Sequence, residues 1–162
     1  MDKKEYRARL DEINNLVEKQ DYREALNVVE TIEWRRVRSA RTLCMVSEIY
    51  EVNKRYDDSL RLLLLAYQRA PSGKLILYRL VELSVKMTDY ESAVKYYNQF
   101  MKLSPNDNNR YILKYKILKT QGADLEEQIR ALEDFKKSEY VEKWAYELAR
   151  LYAEAGMTSE CL

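Results

Sequence analysis

The segment Asp21-Tyr22-Arg23-Glu24-Ala25-Leu26 has two near-copies further along the chain, Arg55-Tyr56-Asp57-Asp58-Ser59-Leu60 and Asp89-Tyr90-Glu91-Ser92-Ala93-Val94. The three segments lie 34 residues apart, and the two prolines, Pro71 and Pro105, have the same spacing. A fixed period of this length is typical of proteins built from stacked structural repeats, in which each repeat packs on its neighbours. The spacing therefore predicts a repeat architecture.

The composition indicates that the repeats are helical. Of the 162 residues 46% are hydrophobic, but only three are glycine and two are proline. So few breakers favour helices joined by short turns over a multi-stranded sheet. Apolar residues at helical spacing then predict two antiparallel helices in each repeat. Aligning the copies gives a single repeat domain with repeats near 6–39, 40–73, 74–107 and 109–141 and a partial repeat at 142–162.

The second, third and fifth repeats resemble those of the tetratricopeptide repeat family, whose unit is also 34 residues long. The matching residues are Leu43, Val46, Ser47, Tyr50, Tyr56, Ser59, Ala66 and Pro71, then Leu77, Leu80, Val81, Tyr90, Ala93, Phe100 and Pro105, and finally Leu148, Ala149, Tyr152 and Gly156. The resemblance implies an all-α, right-handed superhelical solenoid of antiparallel helix pairs, with about four and a half repeats.

The first and fourth repeats depart from this pattern. The first has Arg9 and Glu12 at positions where apolar residues are expected, which predicts a solvated end cap. The fourth carries one extra residue and has Gln128 in place of a small residue, so we expect looser or shifted packing there. The second helix of the fifth repeat is predicted to start near Thr158. Since half a hairpin cannot bury its apolar face, we expect the natural protein to continue beyond residue 162.

No motif for catalysis or metal binding is recognisable. The chain has no histidine, and Cys44 and Cys161 are too far apart to form a Cys-x-x-Cys motif. Ser72-Gly73-Lys74 lacks the earlier glycine of a phosphate-binding loop. The acid pairs Asp57-Asp58 and Glu126-Glu127 fit the first turns of helices, where negative charge complements the helix dipole. We therefore expect no enzyme, no cofactor and no metal.

The charge balance argues against nucleic acid and membranes as partners. Lys and Arg number 28 and Asp and Glu 27, which leaves a net charge of +1. The longest apolar run, from Leu62 to Tyr67, is too short to span a bilayer. We expect no signal peptide and a reducing, cytoplasmic location.

One local basic run keeps an RNA-binding alternative open. The segment Trp34–Arg41 has four arginines within seven residues, next to a tryptophan. Arginine neutralises phosphates and aromatic rings stack on bases, so this helical repeat could bind RNA there. The other interpretation is that these cations lie at a helix C-terminus.

The resemblance implies a surface for a protein partner. In that family the first helices of the repeats line a concave groove that holds an extended peptide or a partner's helix. By register the lining residues include Asn14, Arg41, Glu48, Glu51, Tyr78, Arg79, Glu82, Arg110, Lys114, Ile117, Lys143, Tyr146 and Arg150. Tyr78 and Arg79 are the predicted anchors, because aromatic and arginine side chains dominate interface energies. The resemblance favours a non-enzymatic scaffold or adaptor. The C-terminal end of the lining is basic, through Arg110, Lys114, Lys143 and Arg150, so we expect a partner segment with both signs of charge that is acidic at one end and carries an apolar or aromatic anchor for Tyr78.

A second surface predicts an alternative function. The second repeat has Leu64-Leu65 where the first has Glu30-Thr31 and the third has Asn98-Gln99. Two leucines on an otherwise polar face are typical of self-association or of docking by another domain. The alternative is a homo-oligomer formed through these leucines and the open C-terminal hairpin; tighter packing on a neighbouring helix explains the same residues.

Overall fold

The computed structural model describes residues 1–157, which form nine α-helices and one short 3-10 helix and contain no strand. The helices are α1 (Lys3–Glu18), α2 (Tyr22–Val29), α3 (Ala40–Val52), α4 (Tyr56–Arg69), α5 (Lys74–Lys86), α6 (Tyr90–Leu103), α7 (Asn109–Thr120), α8 (Leu125–Ser138) and α9 (Glu142–Glu154). The predicted all-α class is therefore confirmed. The helix that the sequence predicts from Thr158 lies outside the described residues.

The chain divides into two compact units, Met1–Ile76, here called the N-unit, and Leu77–Leu162, the C-unit. In the N-unit α1 contacts α2, α2 contacts α3, and α3 contacts α4. In the C-unit α6 contacts α7, α7 contacts α8, and α8 contacts α9. These helices thus pack on their neighbours in sequence. None of the helices described is long and apolar enough to cross a membrane.

The core of the N-unit forms where apolar residues recur at helical spacing. On α3 the side chains of Leu43, Val46 and Ile49 are fully buried, and on α4 those of Leu63 and Ala66 are. Residues three and four apart share one face of a helix, so these positions form the stripe along which α3 and α4 meet.

The second helix of the first repeat ends early. Helix α2 has 8 residues, whereas α4 and α6 have 14 each. After Val29 the chain turns into the short 3-10 helix Trp34–Arg36. The buried indole of Trp34 donates its N–H to the backbone carbonyl of Val29 at 2.9 Å, which satisfies a carbonyl at the end of α2.

The core of the C-unit is shared by α7, α8 and α9. Its buried members are Ile112, Tyr115, Ile129, Ala131, Leu132, Phe135, Leu148, Leu151 and Tyr152. Trp144 packs against this core at the start of α9. Tyr115 is almost fully buried, although the sequence pattern did not assign it to the core.

The backbone itself repeats every 34 residues. Positive φ angles occur at Gln20, Lys54, Thr88, Gly122 and Gly156, at 59°, 59°, 57°, 72° and 76°. Each of these residues follows the first helix of a repeat, where a left-handed residue lets the chain reverse direction. The register of first helices and turns therefore persists into the fifth repeat.

The two departures in the fourth repeat are physically connected. Two residues separate Gly122 from α8, whereas one residue separates Thr88 from α6, so the extra residue lies in the α7–α8 turn. Buried Gln128 donates its side-chain amide to the carbonyl of Ala123 in that turn at 2.8 Å. The glutamine thus satisfies a carbonyl of the longer turn.

We expect opposite effects on stability from exchanging residue types in these turns. Gly122→Ala should lower the free energy of unfolding by about 1 kcal/mol, because alanine is strained at the positive φ of this position. Steric overlap adds nothing to this cost, since a Cβ at residue 122 meets no atom within 4 Å. Thr88→Gly should raise the free energy of unfolding by up to about 1 kcal/mol, since a β-branched residue is strained at φ 57°. Urea unfolding of both variants measures this; effects of the same sign would contradict it.

Candidate functional site

Charged and aromatic side chains connect α5, α7 and α9, which are first helices of consecutive repeats in the C-unit. We call them the α5–α7–α9 cluster. Its members are Tyr78 and Glu82 on α5, Tyr115, Lys116 and Lys119 on α7, and Lys143, Trp144, Glu147 and Arg150 on α9. The contacts among them give these helices one continuous side-chain surface.

Lys116 lies at the centre of the cluster. Its ammonium donates to the carboxylate of Glu82. The Lys116 Nζ atom is also 5.7 Å from the ring centroid of Tyr78 and 5.8 Å from that of Trp144. Aromatic faces attract cations, so this one side chain links α5 to α9. Sequence reasoning missed Lys116, although the opposite charges of residues 82 and 116 are 34 apart.

Glu147 is the acidic centre of α9. Its carboxylate accepts from Arg150 Nη2 at 2.7 Å and Lys119 Nζ at 3.3 Å, and from the hydroxyl of Tyr115. The hydrogen bond from Arg150 is the largest of the causes that lower the pKa of Glu147 to about 2. Burial, followed by the hydrogen bond to Glu147, raises the pKa of Tyr115.

Arg150 is held by two carboxylates. Besides Glu147, Arg150 contacts the carboxylate of Glu154 at 2.9 Å. The hydrogen bond to Glu147 is the main reason why the pKa of the Arg150 guanidinium is raised above its usual value. The basic C-terminal end that the sequence predicts is therefore partly neutralised at this residue.

Tyr78 and Tyr146, two predicted lining residues, differ in accessibility. The ring of Tyr78 meets Phe100 edge-on with centroids 6.3 Å apart, and burial together with the charges of Glu82 and Asp107 raises its pKa to about 12. Tyr146 is 75% exposed. It follows Lys143 by three residues and precedes Arg150 by four, so the three side chains share one side of α9. Tyr146 is thus the accessible aromatic residue of this helix.

Other predicted residues of the C-unit lie apart from the cluster's contacts. Arg110 stacks on the ring of its neighbour Tyr111 at 4.2 Å and donates to the backbone carbonyl of Asp107. Lys114 is exposed. Ile117 is 6% exposed, so its assignment to the lining of an open groove is wrong. Arg79 is half-buried on α5.

Four predicted lining residues belong to the N-unit. Asn14 on α1 is exposed, as are Arg41 and Glu48 on α3, while Glu51 is half-buried. Arg41 and Glu48 are seven residues apart and so lie on the same side of α3. A groove along all the first helices stays a prediction.

The basic run Trp34–Arg41 is not at a helix C-terminus, so that interpretation is wrong. The run forms a 3-10 helix and an extended segment, and Arg41 lies in the first turn of α3, which Ser39 caps. The buried, hydrogen-bonded indole of Trp34 is not available for stacking on a base. An RNA-binding function would rest on the arginines alone.

The two leucines of the second repeat are half-buried rather than exposed. Leu64 and Leu65 line a groove of about 760 Å³ in the N-unit, together with Trp34. Among the described residues, no group of three or more His, Cys, Asp or Glu side chains is placed to bind a metal ion.

The environment of Glu147 predicts a pH-dependent stability. A carboxyl group with a lowered pKa stabilises the fold above its unfolded pKa, and this contribution is lost as the pH falls through the folded value of about 2. Glu147→Gln should cost about 2 kcal/mol near neutral pH. The difference from the unsubstituted chain should shrink between about pH 5 and about pH 2.

Urea unfolding across this pH range measures the difference. The control is Glu126→Gln, because Glu126 is 84% exposed and pairs with Arg130 at 3.4 Å. Such an exposed pair contributes little. A difference for Glu147→Gln that stays constant with pH would contradict the assignment.

No family model and no curated protein sequence matches the chain. Solved structures do match. A fragment of MamA from Desulfovibrio magneticus RS-1 is 15% identical with a TM-score of 0.71, over 96% of this chain and 88% of that one. A putative kinesin light chain from Podospora anserina with nearly identical TPR-like repeats is 15% identical with a TM-score of 0.64, over 96% and 89%. YrrB, described as a TPR protein with an unusual peptide-binding site, is 17% identical with a TM-score of 0.62, over 95% and 79%.

At these identities the matches concern the fold. They agree with the helix pairs and with the 34-residue spacing of the turns. The chain therefore has a TPR-like helical repeat fold, as the sequence predicts.

Proposed function

We propose that this chain is a non-enzymatic protein-interaction scaffold, and that the α5–α7–α9 cluster binds an acidic segment of a partner protein. The observation that carries the proposal is the exposed side of α9, which presents Lys143, Tyr146 and Arg150. Glu147 joins Arg150 to Lys119 of α7, because both cations contact its carboxylate. The likeness in fold to YrrB, whose description names a peptide-binding site, supports a peptide as the ligand.

The charges of the cluster favour an acidic ligand. Lys116 is paired with Glu82, and Arg150 with Glu147. Lys143 has no carboxylate partner among the described residues; its Nζ atom instead lies 4.8 Å from the ring centroid of Trp144. A carboxylate of a partner can approach Lys143 without breaking an existing ion pair.

The same surface offers an apolar contact. Tyr146 exposes three quarters of its surface, and tyrosine is among the residues that contribute most to interfaces once they are buried. Tyr78 has a different role in this proposal. It packs on Phe100 and beneath Lys116, and so orients the cation of the cluster instead of contacting the partner directly.

The fitting segment therefore combines carboxylates with an apolar or aromatic side chain. Two or three acidic residues would contact Lys143 and Lys119, and the apolar side chain would cover Tyr146. A ligand of this kind gains rate and specificity from charge, and most of its affinity from the buried ring.

The double variant Lys143→Glu/Tyr146→Ala should lose the partner. The chain and the variant would serve as baits in native lysate, and mass spectrometry would identify captured proteins. An acidic segment of the captured protein, made as a peptide, should then bind the variant at least about tenfold more weakly, because both the charge contact and the buried ring are removed.

The matched control is Lys137→Glu/Tyr140→Ala, which makes the same two changes at the end of α8 and in the α8–α9 connection. Lys137 is exposed and Tyr140 is 71% exposed, so both variants should fold. If the unsubstituted chain and both variants capture the partner equally, the proposed site is refuted. If both variants lose the partner equally, the loss is not specific to the cluster.

A further inference from the structure

The N-unit contains a groove of about 760 Å³, here called the α4 groove. One wall is α4, and the other is the segment 30–35 that follows α2. Trp34 and Tyr50, which are 5% and 2% exposed, form part of its floor. The groove opens because α2 ends at Val29 and the following residues continue as an irregular turn and a short 3-10 helix.

Helix α4 presents an apolar stripe to this groove. Leu60, Leu64 and Leu65 line it at spacings of four and one residues, with Asp57 before them and Gln68 after them. These leucines are half-buried, and they lie on a different side of α4 from Leu63 and Ala66, which are fully buried against α3. Helix α4 therefore carries leucines on two sides, and Arg61 shares the side that faces the groove.

The second helices of the third and fourth repeats lack this stripe. At the positions of Leu64 and Leu65, helix α6 has Asn98 and Gln99, and helix α8 has Glu133 and Asp134. The fold itself therefore does not require leucine at these positions. Leu64 and Leu65 face the segment that follows the short helix α2, so the leucines and the open space occur at the same place.

Five charged residues line the groove, and the two that form no ion pair among the described residues, Asp57 and Arg35, lie at its opposite ends. Arg61 and Glu33 also line it, but they are paired with Asp58 and Arg36. Glu30 lies at the start of α4, since it accepts from Arg55 at 3.0 Å and from the hydroxyl of Tyr50 at 3.3 Å. Asp57 is in the first turn of α4. Arg35 lies at the other end, because its carbonyl accepts from Arg69 in the last turn of α4 at 3.1 Å.

We propose that the α4 groove binds an amphipathic helix of another protein, antiparallel to α4. The helix would insert aliphatic side chains spaced by three or four residues between α4 and segment 30–35. Its C-terminal end would be basic, opposite Glu30 and Asp57, and its N-terminal end would be acidic, opposite Arg35. Acidic residues at the N-terminus and basic residues at the C-terminus stabilise the dipole of the inserted helix. In the antiparallel arrangement the dipoles of the inserted helix and of α4 also point in opposite directions.

The groove shares no residue with the α5–α7–α9 cluster, so a test of the groove does not depend on whether the cluster binds a partner. Its concave form favours an inserted helix over a second copy of the chain. In a two-fold dimer each α4 stripe would have to face another concave groove.

Two synthetic peptides of 14 residues, the length of α4, test the site. Both carry leucines at i, i+4 and i+7; one has Glu in its first turn and Lys in its last, and the other has these charges exchanged. Fluorescence anisotropy with the full chain should give tighter binding of the first peptide by about fivefold, the worth of two exposed charge pairs. The protein variant Arg35→Glu/Asp57→Lys should reverse this preference, a result that differences in peptide helicity cannot produce.

The matched loss-of-binding variant is Leu64→Asn/Leu65→Gln, which copies the residues of α6 at these positions. It should bind the first peptide at least about tenfold more weakly, with an unchanged circular dichroism spectrum and thermal midpoint. Lys143→Glu/Tyr146→Ala should bind this peptide as the unsubstituted chain does.

Three results would overturn the proposal. The first is equal binding by the chain and the Leu64→Asn/Leu65→Gln variant. The second is no binding of either peptide at about 1 mM, the weak end of specific recognition. The third is a dimer of the chain, in sedimentation equilibrium, that becomes monomeric in the Leu64→Asn/Leu65→Gln variant, which would make a second copy the occupant.

Discussion

A helical hairpin of this kind has more apolar surface than its two helices can cover for each other, so every repeat depends on its neighbours. Where a neighbouring helix is full length, the apolar residues become core, as Leu43 and Leu63 do. Helix α2 is six residues shorter than α4. The apolar surface of Leu64 and Leu65 consequently lines a groove instead of a core. One early helix end thus leaves open the surface that we propose as a binding site for a helix.

The main features of the fold follow from local sequence patterns. The predicted repeats begin at residues 40, 74, 109 and 142, and α3, α5, α7 and α9 begin at the same residues. This agreement has a physical basis, since helix bounds depend on caps and turns that are short-range. Asp21, Asp89 and Asp124 each accept from a backbone amide three residues ahead, and this cap starts the second helix. The left-handed turn residues at 34-residue intervals end the first.

The site could be predicted only in part, because side-chain pairing depends on the rotation of each helix. The register predicts Tyr78, Glu82 and Arg150 on first helices, and they lie on α5 and α9, yet it does not indicate their partners. Helix α7 is the clearest case. It has isoleucine or leucine at positions 112, 113, 117 and 118, so no single apolar stripe defines its orientation. Ile117 was therefore assigned to an open surface, and Tyr115 and Lys116 were overlooked. Similarly, α2 ends at Val29, whose carbonyl accepts a hydrogen bond from the indole of Trp34. No local sequence pattern predicts this contact.

The two surfaces differ in the physics of recognition. In the cluster, three of the four cations already contact carboxylates, so a ligand must add to an existing network instead of neutralising a bare patch. Charge contacts of this kind are weakened by salt and act mainly on association rate and specificity. In the α4 groove the leucines and the tryptophan would contribute affinity by losing contact with water, which salt does not weaken. A partner that carries both segments would bind the second site in an intramolecular step, and its affinity would then depend on the length of the linker between the segments.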